Sequence, residues 1–431
     1  MRISTVTMFD QSVASMNRQQ SDFLKVGQQI ASGRRVVNPS DDPQAASRSV
    51  GVSQAMAVTQ QYADARVTAR NSLAQAESVL NSVADAITSA KTLLVQAASD
   101  TLSDVDRQSV ASELRGIYET LIGQANATDG NGRYLFGGYQ DNSPPFARTA
   151  GEGVSGVNYV GDTNTREQRI DASRLMPVAD NGKTIFQSVP SGAGYVARAE
   201  KASPGNISIG TQPDHVRNEG SVAFTSGPNR VDPNNADFGK PFELEFSSDV
   251  DGNPVYSVSV VEEDGTRTPI VTDATYVSGR TVSFGGVNIT LEGTPVDGDQ
   301  IQLRPANNEN ANQDLFKSLK DAIDLLELDQ GGMDDNRAHF RNTVNTVMRE
   351  LDNSLDNVLT VRASMGARLN ELDVVDAVGG NRMMNYEQTL SDLVDLDYSK
   401  AIAEYSLRQV GLQAAQKAFV DVKGLSLFNF L

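Results

Sequence analysis

The sequence predicts an α+β protein: an elongated helical coiled-coil rod formed by the N- and C-terminal segments, with an inserted antiparallel β-rich domain. Three observations carry this. Apolar residues recur at alternating steps of three and four near both ends of the chain, the spacing of a coiled-coil seam. Between about Ser143 and Leu303 the period changes to two, and Pro and Gly multiply. The order is therefore helices, strands, helices, which is met most simply by pairing the terminal helices and inserting the strands between them. This reading divides the chain into a terminal coiled-coil assembly domain (1–42 and 381–431), a helical rod domain (43–142 and 304–380) and an inserted β-rich outer domain (143–303).

The first helix spans about Thr5 to Ser32, where Phe9, Val13, Met16, Gln20, Phe23, Gly27 and Ile30 hold one stripe and Gly33 supplies the stop. The next start is marked by Asn38-Pro39-Ser40-Asp41-Asp42-Pro43. Asp42 can accept from free amides at the helix start, and Pro43 sits at the first helical position, where no amide proton is needed. A helix from Pro43 to about Ala98 would be roughly 80 Å long at about 1.5 Å per residue. Its seam runs Tyr62, Ala65, Ala69, Leu73, Ala76, Leu80, Val83, Ile87, Ala90, Leu94 and Ala97. A helix from about Asp104 to Ala127 follows, and Arg133-Tyr134-Leu135-Phe136 reads as a strand stopped by Gly137-Gly138.

In the middle, Val255–Val260 lies between Asp251-Gly252 and Asp264-Gly265, dipeptides that favour the positive φ of hairpin turns. Thr281–Phe284 and Val287–Leu291 surround Gly285-Gly286 in the same way. Helices resume near Gln313, break at Gly331-Gly332, continue towards Leu372 and break again at Gly379-Gly380. The last helix carries Val394, Tyr398, Ala401, Tyr405, Arg408, Leu412, Ala415, Phe419 and Val422 in sevenfold rhythm, with Arg408 as its one polar break.

Composition narrows function. A net charge of −18 argues against nucleic-acid or anionic-membrane partners, and the only tight basic pair is Arg34-Arg35. No stretch approaches the roughly 18 apolar residues of a membrane span, and no cleavable signal pattern opens the chain. The absence of cysteine removes disulfides, thiolate metal sites and thiol catalysis. Gly151-Glu152-Gly153-Val154-Ser155-Gly156 matches a dinucleotide-binding spacing but lacks the strand before and the helix after it, so it reads as a loop. His215 and His339 stand alone, and Asp249–Asn253 has its Gly too early for a calcium loop and reads as a hairpin turn. The pairs Asp41-Asp42, Glu262-Glu263 and Asp334-Asp335 suit caps and solvated faces rather than acid–base catalysis. The expectation is a non-enzyme without catalytic residues, cofactor or metal.

The ends carry the functional signal. Their stripes are narrow, and Leu425-Ser426-Leu427-Phe428-Asn429-Phe430-Leu431 is a run of large apolar residues at a free end. The expected assembly interface comprises Phe9, Val13, Met16, Phe23, Ile30, Tyr398, Tyr405, Leu412, Phe419, Leu427, Phe428, Phe430 and Leu431. Head-to-tail repetition through such ends generates a helical array or tube.

Arg2-Ile3-Ser4-Thr5, the run Ile30-Ala31-Ser32-Gly33-Arg34-Arg35 through Asn38-Pro39-Ser40-Asp41-Asp42-Pro43, and Asp395-Leu396-Asp397-Tyr398 resemble the flagellin superfamily of bacterial axial proteins. Asn131–Gly138 and Val287–Asp299 are similar to its hook-associated members that join hook to filament. The resemblance implies an extracellular structural role at the hook–filament junction of the bacterial flagellum and self-association in a helical ring. The implied partners are hook-associated protein 1 on one side and flagellin on the other. It also implies type III export without a cleaved signal peptide, helped by a flagellar export chaperone. Two alternatives stay open: a flagellin filament subunit, and a secreted coiled-coil adhesin whose β domain binds a host ligand.

Overall fold

The computed structural model describes residues 5–99, 102–149, 156–190, 195–201, 216–218, 220–224, 228–262, 265–305, 312–327 and 334–428. Among the described residues there are six α-helices: α1 (Thr5–Ser32), α2 (Pro43–Ala97), α3 (Asp104–Ala125), α4 (Leu315–Glu327), α5 (Asp334–Val394) and α6 (Tyr398–Phe428). Antiparallel strands occupy the middle, so the α+β class with helical terminal segments and an inserted β region holds. The chain forms two compact units: one of residues 1–67, 169–174 and 372–431, the other of residues 68–168 and 175–371.

The first unit holds α1, α6, the start of α2 and the end of α5. Gly33 ends α1 with φ +68°, and Asp42 caps α2 by accepting from the Ala45 amide at 3.0 Å. The expected break at Gly379-Gly380 does not occur, because α5 runs through both glycines to Val394. The reason lies across the fold. A Cβ on Gly379 would stand 2.7 Å from Nη2 of Arg66, a side chain only 3% exposed that pairs with Asp376 and donates to the Ile170 carbonyl at 2.9 Å. Glycine here makes room for a buried guanidinium and leaves the helix unbroken.

In the second unit the α2 seam is deeply buried: Leu73, Leu80, Val83, Ile87 and Leu94 are fully covered. Ser103 starts α3 through a reciprocal capping box with Asp106. The segment Arg133–Phe136 is not a strand. Its amides bond separately, Tyr134 to the Asp141 carbonyl and Leu135 to that of Ala127, while the ring of Phe136 enters an aromatic core. There it meets Phe186 at 5.7 Å, and Phe186 in turn meets Phe146 at 5.5 Å and Phe316 at 5.9 Å.

The expected hairpins form. Pro254–Val261 pairs with Phe242–Ser248 and with Arg267–Thr275, and Gly252 and Gly265 take φ +81° and +84° in the connecting turns. With Gln300–Pro305 and Tyr195–Arg198 these strands make a five-stranded sheet. Thr281–Phe284 and Val287–Glu292 form the second hairpin through Gly285 and Gly286, both at positive φ. Inward residues of both sheets, including Phe242, Leu244, Val258, Phe284, Ile289 and Leu303, share one core, the arrangement of packed sheets. Asp249 accepts from the amides of Asp251 and Asn253, which confirms the hairpin turn there. Gly151–Ser155, His215, Glu263, Asp264 and Gly331-Gly332 lie outside the described residues.

Asp314 precedes α4 and accepts from the amides of Phe316 (2.9 Å) and Lys317 (3.2 Å) and from Gln187 Nε2 (2.8 Å). Burial outweighs these bonds and pushes its carboxyl up to about 6. A carboxyl raised above its unfolded value favours folding at low pH, and that contribution is lost as pH rises through about 6. Asp314→Asn keeps an oxygen for the two amides and removes the charge. Urea unfolding at several pH values is expected to show wild type falling relative to the variant between about pH 4 and 7, by on the order of 1–3 kcal/mol. A constant difference across that range refutes the assignment.

Candidate assembly interface

The stripes on α1 and α6 bring the two helices together antiparallel within one chain. Gln19 faces Gly411, Asp22 faces Arg408, Phe23 faces Tyr405 and Gly33 faces Tyr398. The Phe23 and Tyr405 rings stack at 4.6 Å between centroids, worth about 1 kcal/mol beyond their burial. Arg408, the polar break in the stripe, reaches across to Asp22 at 2.9 Å and along its own helix to Glu404 at 3.3 Å. All three side chains are partly exposed, so these pairs set register more than stability.

At the inner end of this pair a backbone tie replaces side-chain packing. The Arg35 amide donates to the Val394 carbonyl at 2.7 Å, and the Leu396 amide to that of Gly33 at 3.0 Å. Arg35 also sends Nη2 to the Leu393 carbonyl (2.7 Å) and Nη1 to Asp42 (3.1 Å). Asp41 accepts from the Asn38 and Val37 amides and pairs with Lys25 at 2.9 Å. Backbone amides, Asn38 for Asp41 and Ala45 for Asp42, are the leading cause holding both carboxyls below the usual carboxylate range. The acidic pair is thus a cap for α2 and a clamp that ties it to α1 through Lys25 and, by way of Arg35, to α5.

The expected interface residues separate into groups. Val13, Met16, Phe23, Ile30, Tyr405, Leu412 and Phe419 are half-buried in or beside this seam, and Tyr398 is 52% exposed. Phe9, Leu427 and Phe428 lie on the same two helices, while Phe430 and Leu431 fall outside the described residues. Among the side chains described on α1 and α6, only Val26 and Ala401 are buried. A second apolar set, off the stripe, was not read from the sequence: Ile402, Leu407, Val410 and Val420 on α6 are 55–70% exposed, as is Leu24 on α1 at 57%. At about 100° per residue, Leu407 and Val410 lie roughly opposite the seam, and Ile402 and Val420 about a quarter-turn from it. Its signal was present as large apolar residues between stripe positions. No helix among the described residues is long and apolar enough to cross a membrane, and none of their carboxylate or histidine groupings could hold a metal.

A family model for the bacterial flagellin N-terminal helical region matches residues 3–141. Flagellar hook-associated protein 3 of Escherichia coli (strain K12) is 32% identical over 429 residues, spanning 100% of this chain and 99% of that protein. The chain belongs to the flagellar hook-associated protein 3 family. The Salmonella typhimurium protein of the same name is 31% identical over the same 429 residues, again with 100% and 99% coverage. A crystal structure of hook-associated protein 3 from Legionella pneumophila superposes with TM-score 0.66 at 23% identity, covering 79% of this chain and 98% of its own. Xanthomonas campestris FlgL gives TM-score 0.66 at 24%, covering 79% and 99%. These likenesses place the chain in the fold of hook-associated protein 3.

Two substitutions test the seam. Tyr405→Ala removes the stack on Phe23, and Gly33→Ala puts a side chain at φ +68° with its Cβ 2.9 Å from the Tyr398 hydroxyl. Each is expected to cost about 1–3 kcal/mol. Hydrogen exchange should show faster amides in α1 and α6 and unchanged protection in Phe242–Ser248 and Pro254–Val261. Equal loss in those strands would show that the terminal helices are not a separate unit of stability.

Proposed function

We propose that this chain is a structural junction protein of the bacterial flagellum. In this reading it self-associates in a helical ring that joins the hook, through hook-associated protein 1, to the flagellin filament. The full-length kinship to flagellar hook-associated protein 3 supports the flagellar placement and a structural rather than enzymatic role. The observation that carries the assembly mechanism is α6. One side of this helix meets α1, while Leu407 and Val410 on the roughly opposite side, and Ile402 and Val420 on the flank, stay exposed. A helix apolar on both sides is at home in an interior, so assembly completes its burial. The proposed interface combines this face with the ends of the expected set, Phe9, Leu427, Phe428, Phe430 and Leu431. Extracellular location follows from the same role, with unfolded passage through the type III export apparatus and a cytoplasmic chaperone. The lack of cysteine suits a chain that folds after such passage without oxidation.

Leu407→Asp with Val410→Asp tests this, since both side chains are more than 60% exposed in the chain itself. The variant should keep the circular dichroism and unfolding midpoint of wild type. In cells lacking the native protein it should yield hooks without filaments by electron microscopy, with flagellin released to the medium. Filaments of normal number and length would refute the assignment of this face.

A further inference from the structure

The charge of this chain is divided between its two compact units with no leakage. The unit of residues 1–67, 169–174 and 372–431 contains 14 Lys and Arg against 14 Asp and Glu. The other contains 23 against 41, so it carries the entire net charge of −18. The neutral unit is also the one that exposes Leu24, Ile402, Leu407, Val410 and Val420. Two copies of a neutral, partly apolar surface approach without Coulomb cost, whereas two copies of a unit bearing −18 repel.

We propose that the acidic unit limits self-association through the neutral one, so that a second copy of this chain docks on the neutral unit only where counterions or neighbouring subunits offset the repulsion. The proposal rests on the assembly face described above. Its physical basis is range: apolar contact acts over a few ångströms, while repulsion extends over a Debye length of about 30 Å in 10 mM salt and about 8 Å at 150 mM. In dilute solution the charge keeps copies apart. Once subunits are concentrated at a growing end, the short-range term takes over.

Two variants of the full chain with the same net charge distinguish this from a general effect of acidity. Glu245→Gln with Glu292→Gln removes two exposed acidic groups from strands of the acidic unit. Asp10→Asn with Glu387→Gln removes two exposed ones from helices of the neutral unit, leaving it with an excess of positive charge. Static light scattering at neutral pH, in about 10 mM and about 300 mM salt, reads the pair interaction as a second virial coefficient. Wild type should move towards attraction as salt rises. The first variant should be more attractive than wild type in low salt and equal to it in high salt. The second should be less attractive than the first at both, and less attractive than wild type in high salt. Identical behaviour of the two variants, or attraction in wild type that falls or stays level with salt, overturns the proposal. Leu407→Asp with Val410→Asp separates the failures. If it leaves the high-salt attraction intact, the assembly face itself is wrong; if it abolishes attraction while the two charge variants agree, only the division of charge is without effect.

Discussion

The terminal helices depend on a backbone tie far from either free end. The Arg35 amide bonded to Val394 and the Leu396 amide bonded to Gly33 form a short antiparallel link between the end of α1 and the gap between α5 and α6. Backbone bonds admit no slippage, whereas a stripe with few buried residues admits sliding by a turn. From this tie the register propagates outward: Tyr398 against Gly33, Tyr405 against Phe23, Arg408 against Asp22, Gly411 against Gln19. The Asn-Pro-Ser-Asp-Asp-Pro run serves the same end, since Asp41 and Asp42 clamp the connection that brings α2 back beside it.

The two seams in the chain differ in kind. Along α2 the stripe from Ala69 to Ala97 is fully covered, the state expected of a core. Among the described side chains of α1 and α6 only Val26 and Ala401 are buried, and α6 exposes further apolar residues off the seam. Taking a fully exposed Leu or Val out of water contributes about 1.5–3 kcal/mol, and the four on α6 keep more than half of their surface in water. The terminal pair therefore holds its geometry within the chain, and in the proposed assembly the rest of its burial comes from neighbouring subunits.

Features governed by neighbours in sequence were legible. The limits of α1 and α2, the stop at Gly33 and the hairpins at Gly252, Gly265 and Gly285-Gly286 follow from caps and turn dihedrals that a few residues specify. Features governed by distant neighbours were not. Gly379-Gly380 has the composition of a break, yet at Gly379 the glycine leaves room for the Arg66 guanidinium within an unbroken helix. Arg133–Phe136 has strand composition, yet its backbone partners come from separate segments and its role is to deliver Phe136 to an aromatic cluster. The Ser103–Asp106 capping box was a local signal that went unread. In the candidate interface, the stripe led to the intramolecular seam, while the exposed face lay among residues that a search for one periodicity passes over.

On the proposed assembly, this division of labour would make folding of the ends and self-association one linked equilibrium. A helix pair in which most of the described side chains stay partly exposed has little margin against the conformational entropy of roughly 60 helical residues. A partner that covers Ile402, Leu407, Val410 and Val420 binds only the ordered form, and by mass action stabilises it in proportion to the logarithm of its own concentration. The inserted sheets, with their own shared core, need no such help. If the ends assemble as proposed, such a chain carries a finished domain in the middle of its sequence while neighbouring subunits complete its ends.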